Sequence, residues 1–248
     1  MNNKKKKKIY RIFYLYIPIF IVVVTVMIPF LWALSTSFKT LPEFTAETVQ
    51  YLPKSLNLDN YLYVWNKSGF SKYFLNSLLV SFTSVVIIII LCICNGYALS
   101  RYKFKGKGFV TILLLGTQMM PVILYLVPLF SVFKNMHLID NLAALVIFNI
   151  VLQTPFNTLL MRSFVSGIPK EVDEAAMVDG AGKATIMFKI ITPMLKPGIV
   201  AVSAFAFIGC WNEFLVAFTF IQTQVKFTIP VGLKSMIGEY SINYPALA

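Results

Sequence analysis

Five long apolar runs constrain the fold of this chain more than any other feature of its sequence. They cover about residues 14–37, 73–100, 108–133, 141–165 and 197–221, and only the last contains an acidic side chain, that of Glu213. A helix needs about 20 mostly apolar residues to cross a bilayer, and in lipid its backbone groups must be paired within the helix. The runs therefore predict an all-α integral membrane protein with five transmembrane helices.

The charged residues indicate how the chain lies in the membrane. Only 13% of its residues are charged, against about 25% in a soluble domain, so most of the chain is expected in lipid. With the N-terminus inside, 15 of the 22 Lys and Arg residues lie on inner segments. This bias follows the positive-inside rule and predicts a cytoplasmic N-terminus. The basic stretch 1–13, with Lys4 to Lys8, is interpreted as a topology anchor at lipid headgroups and not as a nucleic-acid site.

The sequence shows no catalytic or metal-binding pattern. It has no GxxxxGK[ST] phosphate loop, so we expect no ATP site of the usual kind, and it has no constellation typical of a catalytic centre. Cys92, Cys94 and Cys210 fall within the apolar runs and His137 is the single histidine, which is not the spacing of a metal site. The sequence therefore predicts neither an enzyme nor a bound cofactor or metal.

Prolines and polar residues predict departures from straight spans. Pro121 and Pro128 lie within the third run, and proline removes a backbone donor and bends a helix. We expect either a packing kink there or the wall of a gate or cavity. Residues 38–72 combine Pro, Gly, Asn and Asp with aromatic residues, which predicts an external loop with short helical turns at the membrane face.

The inner segment 166–196 predicts a helix-turn-helix lying on the inner membrane face. Pro169 suits a helix start, and the acids that follow it favour the positive end of the helix dipole. Gly180 is expected to end this helix, because glycine adopts the left-handed conformation common at such ends. Residues 183–191 predict a second short helix, stopped by Pro193 and Pro197. The small residues of the first helix would let a partner approach closely.

The spacing within this segment resembles the EAA loop of the membrane subunits of ATP-binding-cassette importers. Glu174-Ala175-Ala176 is followed after three residues by Gly180, and then by Ile190 and Pro193, with Thr192 where that signature usually has leucine. The resemblance implies that an ATPase subunit binds the permease at this loop. The residues it assigns to this coupling are Glu174, Ala175, Ala176, Asp179, Gly180, Ile190 and Pro193.

Two further motifs extend the resemblance over most of the chain. NGYALSRYKFKG at 95–106 is similar to the family's exit from the second span, and WNEF at 211–214 resembles a segment of sugar-importer permeases of the maltose-uptake class. The resemblance implies a type-1 transmembrane domain over 14–248 in a bacterial plasma membrane, taking up a sugar or oligosaccharide. Permeases of the same type for glycerol phosphate, polyamine or phosphate remain open as alternatives.

The resemblance also implies that separate subunits form the pathway, bind ATP and deliver the solute. This chain would form a heterodimer with a second permease, and two cytoplasmic ATPase subunits would bind the ATP. An extracytoplasmic solute-binding protein would deliver the solute. A secondary transporter or channel is the alternative of another class, but such proteins are expected to show repeated halves or several intramembrane ionisable groups.

Glu213, with its neighbours Asn212 and Trp211, is the candidate contact of this chain with the translocation path. An acid within a span is costly unless it is paired or faces water, so it indicates a functional site. A structural hydrogen bond near the outer end of the helix is the alternative interpretation.

The family has six spans, and the last residues of this chain predict the approach to a sixth. Tyr240 and Tyr244 suit a membrane interface, and Pro245 suits a helix start at about 245–248. We therefore expect a full-length product to continue through one more apolar helix.

Overall fold

The computed structural model describes residues 10, 12–46, 48, 50–66, 68–237 and 244–247. Every regular element within these residues is helical, which confirms the predicted all-α class. The basic run from Lys4 to Lys8, interpreted above as a topology anchor, lies outside the described residues.

The helices follow one another along the chain with short connections. They are α1 (Ile17–Ser37), α2 (Leu41–Phe44), α3 (Asp59–Asn66), α4 (Phe70–Arg101), α5 (Lys107–Met119), α6 (Val122–Asn135), α7 (Leu142–Ser166), α8 (Glu171–Val178), α9 (Lys183–Thr185), α10 (Thr192–Met194), α11 (Lys196–Trp211), α12 (Leu215–Phe220), α13 (Ile229–Met236) and α14 (Tyr244–Leu247). A π-helical turn, Ile12–Tyr16, precedes α1, and another, Ile186–Ile191, joins α9 to α10.

Four of the five predicted spans correspond to a long apolar helical segment. These segments are Phe13–Ser37, Phe70–Arg101, Leu142–Ser166 and Lys196–Phe220. The remaining predicted span, 108–133, is not one continuous helix. It consists of α5 and α6, which meet at 97°.

The sharp bend between α5 and α6 lies at the first of the two prolines that predicted it. Met120 is extended (φ −87°, ψ 121°) and so is Pro121 (φ −60°, ψ 132°). Proline has no N–H to continue the helix, and its ring drives the preceding residue out of the helical region. Pro128 lies inside α6 without ending it. The predicted bend is therefore confirmed at Pro121, where it breaks the span.

Two compact units make up the chain, and the first comprises Met1–Phe70 with Leu233–Ala248. Its loop after α1 carries α2 and α3, which confirms the predicted short helical turns. The Ser37 hydroxyl lies 2.6 Å from that of Tyr61, and the Asn60 amide donates to the carbonyls of Ser37 and Lys39. The loop is thus folded onto the end of α1.

The last described helix, α14, begins near the proline that predicted it. Tyr244 stacks on Phe44 of α2 with ring centroids 5.1 Å apart. Residues 238–243, including Tyr240, lie outside the described residues. A sixth span remains a prediction from the sequence.

The second unit, Ser71–Gly232, is a helical bundle with two buried apolar clusters. One joins α4, α7 and α11 to the segment between α8 and α11, through Ile88, Cys92, Met161, Ile186, Ile191, Val202 and Ala206. The other joins α4, α6, α7 and α12 through Val80, Phe133, Phe148, Val216 and Phe220. The segment between α8 and α11 is therefore part of the folded core and not a free loop.

At the far end of the bundle, Asp140 ties the turn before α7 to the turn after α12. Its carboxylate accepts from the backbone N–H groups of Gln222 and Thr223 and lies 2.8 Å from the Lys226 ammonium. The hydrogen bond from Lys226, with those from Thr223, holds the pKa of Asp140 well below its usual range. The carboxylate therefore stays ionised at neutral pH and keeps this connection.

Gly232 in α13 leaves no room for a side chain, because a Cβ there would lie 2.1 Å from Cδ2 of Tyr73. The Tyr73 ring is 1% exposed, so it cannot move into open space. We expect Gly232→Ala to destabilise the protein by about 1–3 kcal/mol through overpacking. A lower melting temperature of the purified protein in detergent would show this.

Gly116→Ala in α5 is the matched control, since no heavy atom outside the local helix lies within 4 Å of its Cβ position. There alanine is expected to be neutral or mildly stabilising. Equal melting temperatures for Gly232→Ala and the wild type would contradict the packing described.

Candidate functional site

Residues 171–194 form the predicted helix-turn-helix, here called the coupling hairpin. Its first arm is α8, with Glu171, Asp173 and Glu174 in the first turn, where the helix dipole favours negative charge. Its second arm runs through α9, the π-helical turn and α10. Ile186 and Ile191 are buried in the bundle core, so the second arm is packed against the spans.

Gly180 makes the turn of the hairpin, as the sequence predicts. Its φ is +81°, in the region that side chains disfavour, and its N–H donates to the Met177 carbonyl. The next amide, that of Ala181, donates back to Ala176. These bonds pair the last carbonyls of α8 in the manner of a glycine-ended helix.

The second arm is longer than the sequence predicts, and Pro193 does not stop it. The π-helical turn leads directly into α10, where Pro193 occupies a first-turn position that does not need its N–H. The Thr192 hydroxyl donates to the Met187 carbonyl at 2.7 Å. Threonine thus satisfies a backbone group of the widened turn, which leucine in that place could not do.

A buried ion pair joins the first arm to the C-terminal end of α4. Nη2 of Arg101 lies 3.0 Å from Oδ2 of Asp173, and the two side chains are 7% and 9% exposed. The Tyr97 hydroxyl donates to Oδ1 of Asp173 at 2.8 Å. Arg101 also donates to the carbonyl of Ile168, just before the hairpin. The start of the hairpin is therefore joined to α4 by one ion pair and by hydrogen bonds from Tyr97 and Arg101.

The residues assigned to coupling are divided between the two sides of the hairpin. Glu174, Ala175, Asp179, Gly180 and Pro193 are exposed. Ile190 is half-buried, and Ala176 is buried against the bundle, so these two face inward. Met177 and Val178 are also exposed, Val178 to 88%, although sequence reasoning did not assign them. The exposed surface of the first arm consequently carries both acidic and apolar side chains.

The fifth span breaks at the WNEF segment, between α11 and α12. Oε1 of Glu213 accepts from the Val216 N–H at 2.7 Å, and Oε2 accepts from the Ala217 N–H at 3.0 Å. Both donors belong to the first turn of α12, whose free N–H groups need partners. Glu213 therefore makes hydrogen bonds of the structural kind that the alternative interpretation of this residue predicted. The sequence did not predict the break in the helix at which these bonds are made.

Trp211 and Asn212 flank this break. The Trp211 ring stacks on Phe207 at 5.3 Å and meets Phe74 of α4 edge to face at 5.9 Å. The Asn212 amide donates to the Ile208 carbonyl in its own helix. Trp211 is half-buried and Asn212 exposed. The three path candidates thus lie together where the helix is interrupted.

A cavity of about 330 Å³ lies beside the bend between α5 and α6. Its walls are mostly apolar, and they include Met120, Tyr125, Phe133, Phe148 and Val151. The cavity adjoins the bend, but neither Pro121 nor Pro128 is among its lining residues. Its lining suits a hydrocarbon group better than a hydroxylated solute.

Comparison with known proteins assigns the chain to a family. Residues 93–248, which include the coupling hairpin and both breaks, match the family described as binding-protein-dependent transport system inner membrane component. The chain belongs to this family. The permease is thus a multi-pass membrane protein of a transport system, as the resemblance implied.

Several curated permeases are similar over most of their length. The sulfoquinovosyl glycerol transport system permease protein SmoH of Agrobacterium fabrum is 30% identical over 92% of this chain and 80% of its own length. The diacetylchitobiose uptake system permease protein NgcG of Streptomyces coelicolor is 33% identical over 90% and 74%. The arabinooligosaccharides transport system permease protein AraQ of Halalkalibacterium halodurans is 32% identical over 81% and 71%.

A solved structure shares the fold. A chain from the crystal structure of a bacterial ABC transporter involved in the import of alginate matches with a TM-score of 0.80 and 24% identity. The match covers 94% of the permease and 83% of that chain. This likeness shows that the arrangement of helices is one found in such transporters.

Sequence reasoning missed Arg101, Tyr97 and Asp173 as a connected group. The sequence indicates Asp173 only as a charge at a helix start, and Arg101 only as part of a basic exit from the second span. Asp173 lies 72 positions after Arg101 and 76 after Tyr97, so no local sequence pattern links it to them. The one signal was an acid on the face of α8 that carries Ala176, which indicates an inward position.

Asp173→Asn is expected to destabilise the permease, because it leaves the Arg101 guanidinium buried without a counter-charge. Breaking a buried pair in this way typically costs about 3–5 kcal/mol. Glu171→Gln removes the same charge from an exposed position in the same turn and should have little effect. Melting temperatures of the two purified variants, compared with the wild type, measure the difference. Indistinguishable values would show that the ion pair does not hold α8.

Proposed function

We propose that this chain is a translocation subunit of an ATP-driven, binding-protein-dependent importer of a sugar or oligosaccharide. The observation that carries the proposal is the coupling hairpin, which presents an exposed acidic and apolar face and is anchored to a span by a buried ion pair. A surface of this kind suits docking of a helix in a partner's groove. The partner that fits is a cytoplasmic ATPase, which supplies the ATP site that the sequence of this chain lacks.

The proposal assigns each segment of the chain to one side of the membrane. The hairpin lies on the cytoplasmic side, as the excess of Lys and Arg on the same segments supports. The N-terminus is then cytoplasmic, and the Asp140 connection faces the solute-binding protein outside. We place the permease in the plasma membrane of a bacterium, since the curated relatives named above are bacterial.

The proposed mechanism is conformational. Closure of two ATPase subunits on ATP moves α8, and the Arg101–Asp173 pair with Tyr97 carries that motion to α4. Ile186 and Ile191 carry it to the core between α7 and α11. The permease would alternate between two packed arrangements, biased by ATP on one side and by solute on the other.

A carbohydrate is the solute class that we propose. The names of the relatives above refer to a sulfoquinovosyl glycerol, a chitobiose derivative and arabinooligosaccharides. At the break, Asn212 is exposed beside the half-buried Trp211 ring, and an aromatic ring with a polar neighbour suits a sugar. A second permease would complete the path on the other side.

Glu174→Lys is expected to uncouple transport without preventing insertion, because it reverses a charge on the exposed docking face. ATP-dependent uptake by vesicles that contain the complete transporter should fall by tenfold or more, roughly the effect of losing one well-placed charged contact at an interface. Glu171→Lys, three residues earlier, controls for charge reversal on the same helix and should retain more activity. Wild-type uptake by Glu174→Lys would contradict the docking role.

Gly180→Val should also weaken the contact between the hairpin and the ATPase, but through strain in the backbone and not through charge. Valine cannot adopt a φ of +81° cheaply, although nothing lies within 4 Å of the Cβ position, so the turn itself is strained. Gly182→Val is the control, since Gly182 has a φ of −73° and equally open surroundings. Less ATPase should copurify with Gly180→Val than with the wild type, and Gly182→Val should retain the wild-type amount. Equal ATPase binding by both variants would refute this prediction.

Glu213→Gln is expected to leave the permease folded but to alter transport. The amide keeps one oxygen for the N–H groups of Val216 and Ala217, while the charge beside the path is lost. Uptake and apparent affinity would be measured for several sugars, with the melting temperature as the check of folding. Thr219→Val, at the other end of α12, controls for perturbation of that helix. Unchanged uptake of every sugar would leave Glu213 a structural role alone.

A further inference from the structure

The connection between α4 and α5 alternates basic and aromatic side chains. Its residues Tyr102, Lys103, Phe104 and Lys105 are all exposed. Within the described part of the chain there are two ion pairs, Arg101–Asp173 and Lys226–Asp140, and neither involves this connection. Its lysines therefore carry charge that the described residues do not neutralise.

The connection is held in a defined shape. The Lys107 ammonium donates to the Tyr102 carbonyl at 3.1 Å, and the backbone N–H of Lys107 donates to the Phe104 carbonyl. The Tyr102 ring meets Tyr97 edge to face at 6.0 Å. Lys103 and Lys105 thus project from a fixed turn and not from a free loop.

Two further cations approach the connection from other elements. Nζ of Lys183, in the coupling hairpin, lies 5.5 Å from the centroid of the Tyr102 ring. Nη1 of Arg162, in α7, donates at 3.4 Å to the Thr111 hydroxyl, which itself donates to the Lys107 carbonyl. We call these five residues the basic rim: Lys103, Lys105, Lys107, Arg162 and Lys183.

The acids that face the rim do not cancel its charge. Asp173 is already paired with Arg101. Glu171, Glu174 and Asp179 are exposed on the hairpin, and among the described residues none lies within ion-pair distance of a rim cation. The rim therefore remains a site of uncompensated positive charge.

The rim lies between the ends of two apolar helices, which is where the headgroups of a bilayer are expected. It is placed between the end of α4 at Arg101 and the start of α5 at Lys107, and both helices belong to membrane spans. Within its first two turns α5 exposes Phe109 and Ile112, side chains that suit lipid tails. Aromatic residues between lysines at such a boundary are typical of segments that contact headgroups and the upper part of the tails.

We propose that the basic rim binds the phosphate headgroups of anionic phospholipids in the inner leaflet. A headgroup there lies beside Lys183 and so touches the coupling hairpin as well as the spans. The occupant is a membrane phospholipid, because Phe104 and Phe109 offer hydrocarbon contacts that a free phosphate would not use.

The test counts lipid molecules on the intact transporter complex, purified from membranes that contain phosphatidylcholine and phosphatidylglycerol. Native mass spectrometry gives the phosphatidylglycerol retained by the wild type, by Lys103→Gln/Lys105→Gln and by the control Lys134→Gln/Lys234→Gln. The control removes two exposed lysines outside the rim. Each lysine contributes roughly fivefold to affinity at an anionic surface, so the rim variant should bind phosphatidylglycerol about 25-fold more weakly.

Lys103→Arg/Lys105→Arg should restore retention, because it keeps the charge. Equal retention by the rim variant and the control would overturn the proposal, and so would full displacement of the lipid by inorganic phosphate. Loss of ATPase binding in lipid-free detergent, with lipid retention unchanged, would show instead that the rim contacts a protein. Lipid retention is measured without transport, so its outcome is independent of the proposed importer function.

Discussion

The contact between Arg101 and Asp173 is the interaction on which the rest of this structure depends. It is the single connection, among the described residues, that joins the coupling hairpin to a span by opposite charges removed from water. Two charges in such a place are costly unless both are well paired, and here Tyr97 and the Ile168 carbonyl supply the additional bonds. The hairpin is consequently held in one orientation, with Ala176 inward and Glu174 outward.

The interruptions of the spans follow a common rule. Backbone groups released within a membrane must find other partners. At 212–214 the Glu213 carboxylate accepts from the first amides of α12. At 120–121 the proline needs no partner for its nitrogen. In the proposed mechanism, these two breaks are the places where neighbouring segments would change their angle.

Much of the fold and part of the site could be predicted from the sequence, because they rest on local rules. Apolar length predicted the spans, and Gly180 predicted the turn at which its positive φ is found. The spacing of Glu174, Ala175, Ala176 and Gly180 predicted the family. What escaped prediction depends on contacts between distant residues: the Arg101–Asp173 pair, the inward side of Ala176 and the break at Glu213. The 97° bend at Pro121 also exceeds what a proline signal alone can specify.

The central claim is that the hairpin and the inner end of α4 move as one body when ATP closes the partner ATPase. Spin labels at Met177→Cys and Lys105→Cys, both exposed, measure it most directly in a background where Cys92, Cys94 and Cys210 are replaced. The distance between the labels should be the same in the nucleotide-free and ATP-bound transporter. A change on the order of one helical turn, about 5 Å, would mean that the hairpin slides past α4 and would contradict the account.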